Sequence, residues 1–231
     1  MNTVFELPSV TVPVVGRDEE FPVRRIYCVG RNYAAHAREM GFDPDRDPPF
    51  FFCKPADAIL YCPPGESVSM PFPSLTENLQ HEIELVVAIG KQGSEISLEN
   101  ANQYIWGYGL GLDMTRRDLQ INMREKGRPW EIGKAFDHGA PMGPLHAVAD
   151  TGILESGEIF LQVNGSDRQR SNVSHLIWSI PEVIANLSTL FELHPGDLIF
   201  SGTPEGVSKL QHGDQLRGGF DGLGDIQVNL T

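Results

Sequence analysis

Two glutamates separated by one residue are the first candidates for chemistry in this sequence. Glu82 and Glu84 lie in residues 80–90, where a run of apolar residues predicts a β-strand. Side chains two residues apart on a strand share a face, so both carboxylates should point the same way. Residues 86–89 are all apolar, which predicts burial on both faces. Two buried like charges would repel each other unless a cation neutralised them.

A third carboxylate ends the glycine-rich segment of residues 107–112. Burial of Asp113 would create the same electrostatic problem. Oxygen ligands without cysteine or a required histidine suit Mg²⁺, Mn²⁺ or Ca²⁺, and three protein ligands leave positions on an octahedral ion for water or substrate. The alternative is a solvent-facing strand of an antiparallel sheet, because Glu-x-Glu alone is a weak signal.

Three further groups of polar residues could act beside such an ion. His36 and Glu39 are three residues apart in a predicted helix, where a carboxylate could orient an imidazole as an acid–base dyad. Arg117 and Gln120 have the same spacing in a second helix, and Lys134 lies in an aperiodic polar segment. Each also has an ordinary interpretation: a surface pair, a solvated helix face and a solvated lysine. Spacing alone therefore indicates a divalent-metal enzyme without identifying its reaction.

The elements that position these residues are predicted to be short strands and three helices. Seventeen prolines and 24 glycines, scattered along the chain, indicate many turns. The helices are residues 31–40, closed by Gly41; residues 115–127, opened by a capping-box-like Thr-x-x-Asp; and residues 179–191, opened by Ser-x-x-Glu and carrying an apolar stripe. Regular strand–helix alternation is absent from the sequence, so the expected class is α+β and strand-rich.

Length and composition set the remaining expectations. The 231 residues suit an N-terminal leader strand, residues 1–21, and a single catalytic domain, residues 22–231. A net charge of −13 argues against nucleic acid or an anionic membrane as partner. The sequence contains neither an apolar run of membrane-spanning length nor a signal-peptide pattern at its start, so a cytoplasmic location is expected. The three cysteines should be free thiols.

Taken together, these segments resemble the fumarylacetoacetate hydrolase family, in particular its short single-domain members that act on acylpyruvates. The matching segments run in family order from about residue 25 to the C-terminus. They are Cys28-Val29-Gly30-Arg31-Asn32-Tyr33 with His36 and Glu39, residues 52–55, His81-Glu82-x-Glu84-Leu85, Leu112-Asp113-Met114-Thr115 with Arg117, Asp118 and Gln120, residues 127–137, Gln162-Val163-Asn164-Gly165, and Gly202-Thr203-Pro204-x-Gly206-Val207.

The resemblance implies a mixed β-sheet roll of the family's C-terminal-domain type, assembled as a homodimer. It also implies that Mg²⁺ or Mn²⁺ is held by Glu82, Glu84 and Asp113. Long members of the family carry a further aspartate seven residues before the histidine. This chain has Val29 at that position. The short members also lack the aspartate. Its absence lowers the number of metal ligands but leaves the metal site in place.

Catalytic roles also follow from the resemblance. It implies that His36 and Glu39 activate a water molecule, and that Lys134 and Gln120 orient this water or stabilise the oxyanion. The segment of residues 31–49, which carries the dyad, would act as a lid over bound substrate.

Substrate contacts form a separate set of expectations. The resemblance implies that Arg117 and Thr203 hold the carboxylate end of a 2,4-diketo acid substrate. Arg31 or Lys54 could supply a further cation for a distal carboxylate, an expectation that comes from charge alone.

Hydrolysis of the carbon–carbon bond of an acylpyruvate is the expected reaction. Fumarylpyruvate is the expected substrate, because residues 21–30 resemble the corresponding segment of family members that act in the gentisate pathway. The alternatives are decarboxylation of oxaloacetate or tautomerisation of a 2-keto acid at the same metal site. A metal-stabilised binding module without turnover is a third interpretation.

Overall fold

Two large β-sheets packed against each other form the core of the computed structural model, which describes residues 3–39 and 47–231. The strands are β1 (Thr11–Pro13), β2 (Glu20–Pro22), β3 (Arg25–Gly30), β4 (Phe50–Lys54), β5 (Ile59–Tyr61), β6 (Ser67–Met70), β7 (Leu79–Gln80), β8 (Ile83–Ile89), β9 (Ile105–Leu112), β10 (Thr115–Arg116), β11 (Ala140–Met142), β12 (His146–Ala147), β13 (Glu158–Val163), β14 (Ser166–Asn172), β15 (Asp197–Phe200), β16 (Gln215–Phe220) and β17 (Gly224–Leu230). The α-helices are α1 (Ala34–Glu39), α2 (Arg117–Glu125), α3 (Glu131–Lys134), α4 (Val148–Thr151) and α5 (Ile180–Leu190), and 3₁₀ turns span Ala56–Ala58, Leu98–Tyr104 and Val173–His175. The strand-rich α+β class is confirmed.

Both sheets are mixed. The larger sheet has the order β4-β3-β15-β8-β9-β11-β5, with β12 also paired to β9, and the smaller has the order β14-β13-β16-β17-β6. In the larger sheet β15 runs parallel to β3, whereas β8 is antiparallel to both of its neighbours. The centre of this sheet is therefore the β15-β8-β9 group.

Strand β8 is buried on both faces, as the sequence predicts. All seven of its residues are buried. Ile83, Leu85 and Val87 join the large core, whereas Val86 and Ala88 join a second cluster that includes Phe21 of the β1–β2 hairpin. The sequence predicts a boundary between the leader and the catalytic domain after residue 21. Strand β2 runs from Glu20 to Pro22, so the β1–β2 hairpin lies on both sides of that boundary. That division stays a prediction.

The predicted helices occur, with shifted ends. Helix α5 begins as predicted, and the Ser179 N–H donates to Glu182 Oε2 at 2.9 Å. Helix α2 starts at Arg117 rather than at Thr115, because residues 115–116 form β10 and the Thr115 hydroxyl donates to the Asp113 carbonyl instead of capping the helix.

Two other expectations change in detail. The strand predicted over residues 80–90 is interrupted at residues 81–82, because β7 pairs with β10 while β8 pairs with β9. Helix α1 starts at Ala34, later than predicted. The predicted closing residue of α1, Gly41, and much of the predicted lid lie outside the described residues. Among the described helices, none is long and apolar enough to span a membrane.

Asn32 connects α1 to the rest of the site. Its side chain is buried, and its Nδ2 donates to the carbonyls of Trp178 (2.9 Å) and Ser201 (2.8 Å). Its Oδ1 accepts from the Trp178 N–H at 2.8 Å. One amide therefore joins the segment before α1 to the loop after β15 and to the chain that leads into α5.

We expect Asn32→Asp to destabilise the protein by about 3 kcal/mol, because it removes two donors and turns an oxygen towards two carbonyl oxygens. Urea denaturation measures the change in the free energy of unfolding. Asn122→Asp, an exposed change on α2, is the matched control and should cost no more than about 0.5 kcal/mol. Equal effects of the two substitutions would contradict this role for Asn32.

Candidate active site

Three buried carboxylates meet at one end of the β8–β9 pair. Glu82 directly precedes β8, Glu84 lies in it, and Asp113 directly follows β9. The antiparallel register places Ile83 opposite Leu112, and the Asp113 N–H donates to the Glu82 carbonyl at 2.8 Å. One ligand atom from each carboxylate lies within 4.8 Å of the others. The three side chains belong to residues that are at most 6% exposed, so the alternative of a solvent-facing strand is wrong.

Three cationic side chains surround this carboxylate cluster. Lys134 Nζ donates to Glu82 Oε2 and to Asp113 Oδ2, both at 2.7 Å. Arg117 Nη2 donates to Glu82 Oε1. Lys54 Nζ lies 2.9 Å from Asp113 Oδ1 as an ion pair. Lys134 is 2% exposed, so its interpretation as a solvated lysine is also wrong.

The electrostatics of the three carboxylates are unequal. Burial, followed by the charges of Asp113 and Glu82, raises the pKa of Glu84 well above its usual value. Burial acts in the same direction on Glu82, but the charges of Lys134 and Arg117 outweigh it and hold the pKa of Glu82 far below its usual range. Burial lowers the pKa of Lys134, and the charges of Asp113 and Glu82 outweigh it, so the net pKa is raised. Glu84 is therefore the carboxylate least compensated by protein cations.

The carboxylate cluster fits a hard divalent cation. Its donors are all oxygens, which suits Mg²⁺ or Mn²⁺. Asp113 Oδ1 is buried and receives no hydrogen bond among the described residues, since the Lys54 contact lacks hydrogen-bond geometry. The raised pKa of Glu84 shows that this site favours an added positive charge, which a proton or a metal ion can supply.

The predicted dyad is formed on α1. His36 Nδ1 lies 3.3 Å from Glu39 Oε2, and the Gly206 N–H donates to both oxygens of the same carboxylate at 3.1 and 3.2 Å. Because a carboxylate accepts at Nδ1, this nitrogen carries the proton and Nε2 is left as a proton acceptor. His36 is buried and lines the same cavity as Glu82 and Glu84.

Arg117 and Gln120 form the inner face of α2. Arg117 donates through Nε to Gln80 Oε1 at 2.7 Å and through Nη1 to Gln120 Oε1 at 2.5 Å. The Gln120 oxygen therefore faces Arg117, and its NH₂ group is the end able to donate into the cavity. Both residues are buried and line the cavity, so their interpretation as a solvated helix face is wrong.

Two of the predicted substrate contacts are placed differently from expectation. Lys54 does not line the cavity; its ammonium donates to the carbonyls of Met114, at 3.1 Å, and Lys134, and lies behind Asp113. This position suits orientation of Asp113 and Lys134 rather than substrate binding. The Thr203 hydroxyl donates to the Ile83 carbonyl at 2.8 Å, so it cannot donate to a substrate carboxylate while that bond is kept.

About 560 Å³ of empty space, open solvent included, adjoins the residues that line the cavity. Phe50, Phe52 and Trp130 form an aromatic wall, and Arg31 and Arg124 also line the space. The sequence reasoning did not select the aromatic residues or Arg124 as site residues. Arg124 could have been found from its spacing, because it lies four residues after Gln120 on the same helix.

Gln169 is a further residue that the sequence reasoning missed. It is fully buried, and its Oε1 accepts from the Ile83 N–H at 3.1 Å while its Nε2 donates to Thr203 Oγ1 and the Pro204 carbonyl, both at 2.8 Å. Because its oxygen accepts, the His81 Nδ1 at 2.9 Å is a donor. Gln169 thus ties the loop after β15 to the start of the carboxylate strand. Its position in β14, 86 residues from Ile83, gives no local sequence signal.

Residues 25–231 match the family described as fumarylacetoacetate (FAA) hydrolase C-terminal. The chain therefore belongs to the fumarylacetoacetate hydrolase family, and the predicted fold type is confirmed.

Several relatives are similar in sequence to this chain over most of its length. It is 56% identical to the fumarylpyruvate hydrolase of Pseudomonas aeruginosa, whose crystal structure is a complex with Mn²⁺ and pyruvate; the match has a TM-score of 0.98 and covers 100% of this chain and 99% of that one. It is 42% identical to the fumarylpyruvate hydrolase of a Ralstonia species over 78% of this chain and 92% of that one. It is 40% identical to the mitochondrial oxaloacetate tautomerase of Mus musculus over 90% of this chain and 91% of that one.

We expect Gln169→Leu to destabilise the protein by about 3 kcal/mol, because it leaves the buried Ile83 N–H and Pro204 carbonyl without partners. Urea denaturation checks the value. Gln162→Leu is the matched control: this side chain is only half-buried and bonds to Asp167 at the surface, so its loss should cost no more than about 0.5 kcal/mol. A cost for Gln169→Leu as small as the control's would contradict the assignment.

Proposed function

We propose that this protein is a Mg²⁺- or Mn²⁺-dependent hydrolase that cleaves the carbon–carbon bond of an acylpyruvate, with fumarylpyruvate as substrate and fumarate and pyruvate as products. One observation carries the proposal. His36 of the dyad and Glu82 and Glu84 of the carboxylate cluster line the same cavity, so a proton acceptor and a site for a divalent cation would face one bound molecule. The relatives named fumarylpyruvate hydrolase support the choice of substrate.

Glu82, Glu84 and Asp113 would hold the ion. Bound there, the ion supplies Lewis acidity towards the 2-keto acid end of the substrate. Arg117 donates a hydrogen bond to Glu82 and so lies beside the carboxylate cluster. From this position it would hold the carboxylate of the 2-keto acid end of the substrate. Thr203 would contribute through its backbone, since its hydroxyl proton is engaged by Ile83.

Water activation falls to the dyad. His36 Nε2 accepts a proton as the water oxygen bonds to the distal carbonyl carbon, and Glu39 stabilises the resulting imidazolium through Nδ1. The Gln120 NH₂ group and the Lys134 ammonium donate to the oxyanion that develops there. The carbon–carbon bond then breaks, its electron pair leaves with the pyruvate fragment as an enolate, and the proton taken up by His36 is returned to the enolate carbon to give the keto form.

Tautomerisation of a 2-keto acid is the second candidate. It needs the carboxylate cluster and one proton carrier but no attack by water, and the mouse relative named oxaloacetate tautomerase supports it. Decarboxylation of oxaloacetate would use the same enolate chemistry. We also propose a homodimer in the cytoplasm, which rests on the family resemblance and on composition.

The reaction itself is tested by pyruvate release. With Mg²⁺ or Mn²⁺, the purified protein should release pyruvate from fumarylpyruvate, with a kcat/KM at least about 10⁴ M⁻¹s⁻¹ as for ordinary enzymes. Oxaloacetate, assayed in parallel for pyruvate release and for keto–enol conversion, is the comparison. Conversion of oxaloacetate without pyruvate release from either fumarylpyruvate or acetylpyruvate would replace hydrolysis by the second candidate.

A pair of variants separates the dyad from the metal site. His36→Ala should lower kcat/KM for hydrolysis by about 10²- to 10⁴-fold, the usual contribution of general acid–base catalysis, and keep Mn²⁺ binding. Glu84→Gln should instead weaken Mn²⁺ binding in calorimetry and reduce the increase in Tm that added Mn²⁺ produces. Full hydrolytic activity in His36→Ala would remove the dyad from the mechanism.

A further inference from the structure

Two arginines at the outer end of the cavity have no role in the bond-breaking steps described above. Arg31 directly follows β3, and Arg124 lies in the last turn of α2. Both line the cavity that contains Glu82, Glu84 and His36, yet both are exposed, whereas Arg117 is buried at the inner end. The cavity therefore carries guanidinium groups at both ends.

Helix α2 sets the spacing between these ends. Arg117, Gln120 and Arg124 stand at positions i, i+3 and i+7, so they share one helical face, and all three line the cavity. Seven residues of α-helix advance about two turns, or roughly 10 Å. Since Arg117 bonds to Glu82, Arg124 lies about two turns outward from the carboxylate cluster. An extended diketo acid with a carboxylate at each end would span this interval.

The aromatic wall joins the two ends. Lys134 Nζ lies 4.9 Å from the centroid of the Phe52 ring, and the Arg31 guanidinium lies 4.8 Å from that of Phe50. Trp130 packs edge-on against Phe50, with ring centroids 5.6 Å apart. A flat conjugated chain suits such a wall, because stacking requires planarity and apolar faces.

Arg31 and Arg124 act on each other electrostatically. Burial lowers the pKa of Arg31, the positive charge of Arg124 lowers it further, and the carboxylate of Asp47 acts in the opposite direction. Both guanidinium groups line one cavity, and guanidinium groups are favourable partners for an anion, especially for bidentate binding of a carboxylate. Arg31 also has φ of 55°, a left-handed conformation that is uncommon for this residue type and is often found at functional sites.

We propose that Arg31 and Arg124 bind the distal carboxylate of the substrate, and so select dianionic acylpyruvates whose acyl chain is planar and ends in a carboxylate. The inner carboxylate lies near Arg117, and the acyl chain lies along Phe50, Phe52 and Trp130. This inference rests on the proposed function and deepens it, because it assigns the residues that recognise the distal carboxylate.

A pair of ligands that cannot be hydrolysed tests the proposal independently of turnover. 2-Oxoheptanedioate and 2-oxoheptanoate have the same chain length, lack the second keto group, and differ in the terminal carboxylate. Titration calorimetry of the Mn²⁺-loaded wild-type protein should show about 10- to 100-fold tighter binding of the dianion, as expected for charge-assisted hydrogen bonds. Equal affinities in the wild type would overturn the proposal.

Variants assign the preference to the two arginines. Arg31→Asn suits the left-handed backbone while removing the charge, and Arg124→Gln removes the second charge. Each should reduce the preference for the dianion, and the double variant should abolish it. Lys126→Gln removes one positive charge directly after α2, outside the cavity lining, and should keep the preference.

The outcomes also separate this proposal from the proposed function. A preference that persists in the double variant, or is lost equally in Lys126→Gln, would overturn the assignment to Arg31 and Arg124. Absence of pyruvate release from fumarylpyruvate and acetylpyruvate would overturn the proposed hydrolysis instead. The ligand preference remains measurable in that case, because neither ligand is turned over.

Discussion

Burial of three carboxylates within 4.8 Å of one another is the constraint on which the site depends. Like charges in a medium of low polarity are costly unless cations or hydrogen bonds compensate them. Lys134 and Arg117 compensate Glu82, and Lys134 and Lys54 compensate Asp113, whereas the described residues give Glu84 only the hydrogen bond from the Gly202 N–H at 2.7 Å. This unequal compensation leaves a defined place for one more positive charge.

The backbone produces this arrangement with few degrees of freedom. Antiparallel pairing fixes Glu82 beside Asp113, and the two-residue period puts Glu84 on the face of β8 that bears Val86. Glycine makes the close packing of β9 achievable, because a Cβ at Gly111 would lie 2.7 Å from the Phe200 ring. A one-residue change in register would turn both glutamates into the large core, so the register and the site are specified together.

The sequence predicted the parts of the site that depend on short-range spacing. The Glu-x-Glu pair, the His36–Glu39 dyad and the pairing of Arg117 with Gln120 all follow from strand or helix periods. It failed where the partner lies far along the chain. Nothing near Gln169 indicates its contact with Ile83, and nothing near Lys54 indicates that its ammonium faces Asp113 and two backbone carbonyls. The interruption at residues 81–82 was also missed, because it comes from pairing with two different strands.

The carboxylate cluster and the His36–Glu39 dyad are held in place by different parts of the structure. The carboxylate cluster is held by β-sheet ladder bonds and buried ion pairs, whereas the dyad lies on a six-residue helix that is tied to the loop after β15 through Asn32 and through the Gly206 N–H. Stabilisation of an enolate requires only the first part, and attack by water requires both. The two parts are therefore supported separately, and relatives of similar identity to this chain have the names of a hydrolase and of a tautomerase. The proposed hydrolysis depends on His36 lying beside the carboxylate cluster, whereas the proposed tautomerisation needs one proton carrier there and no attack by water.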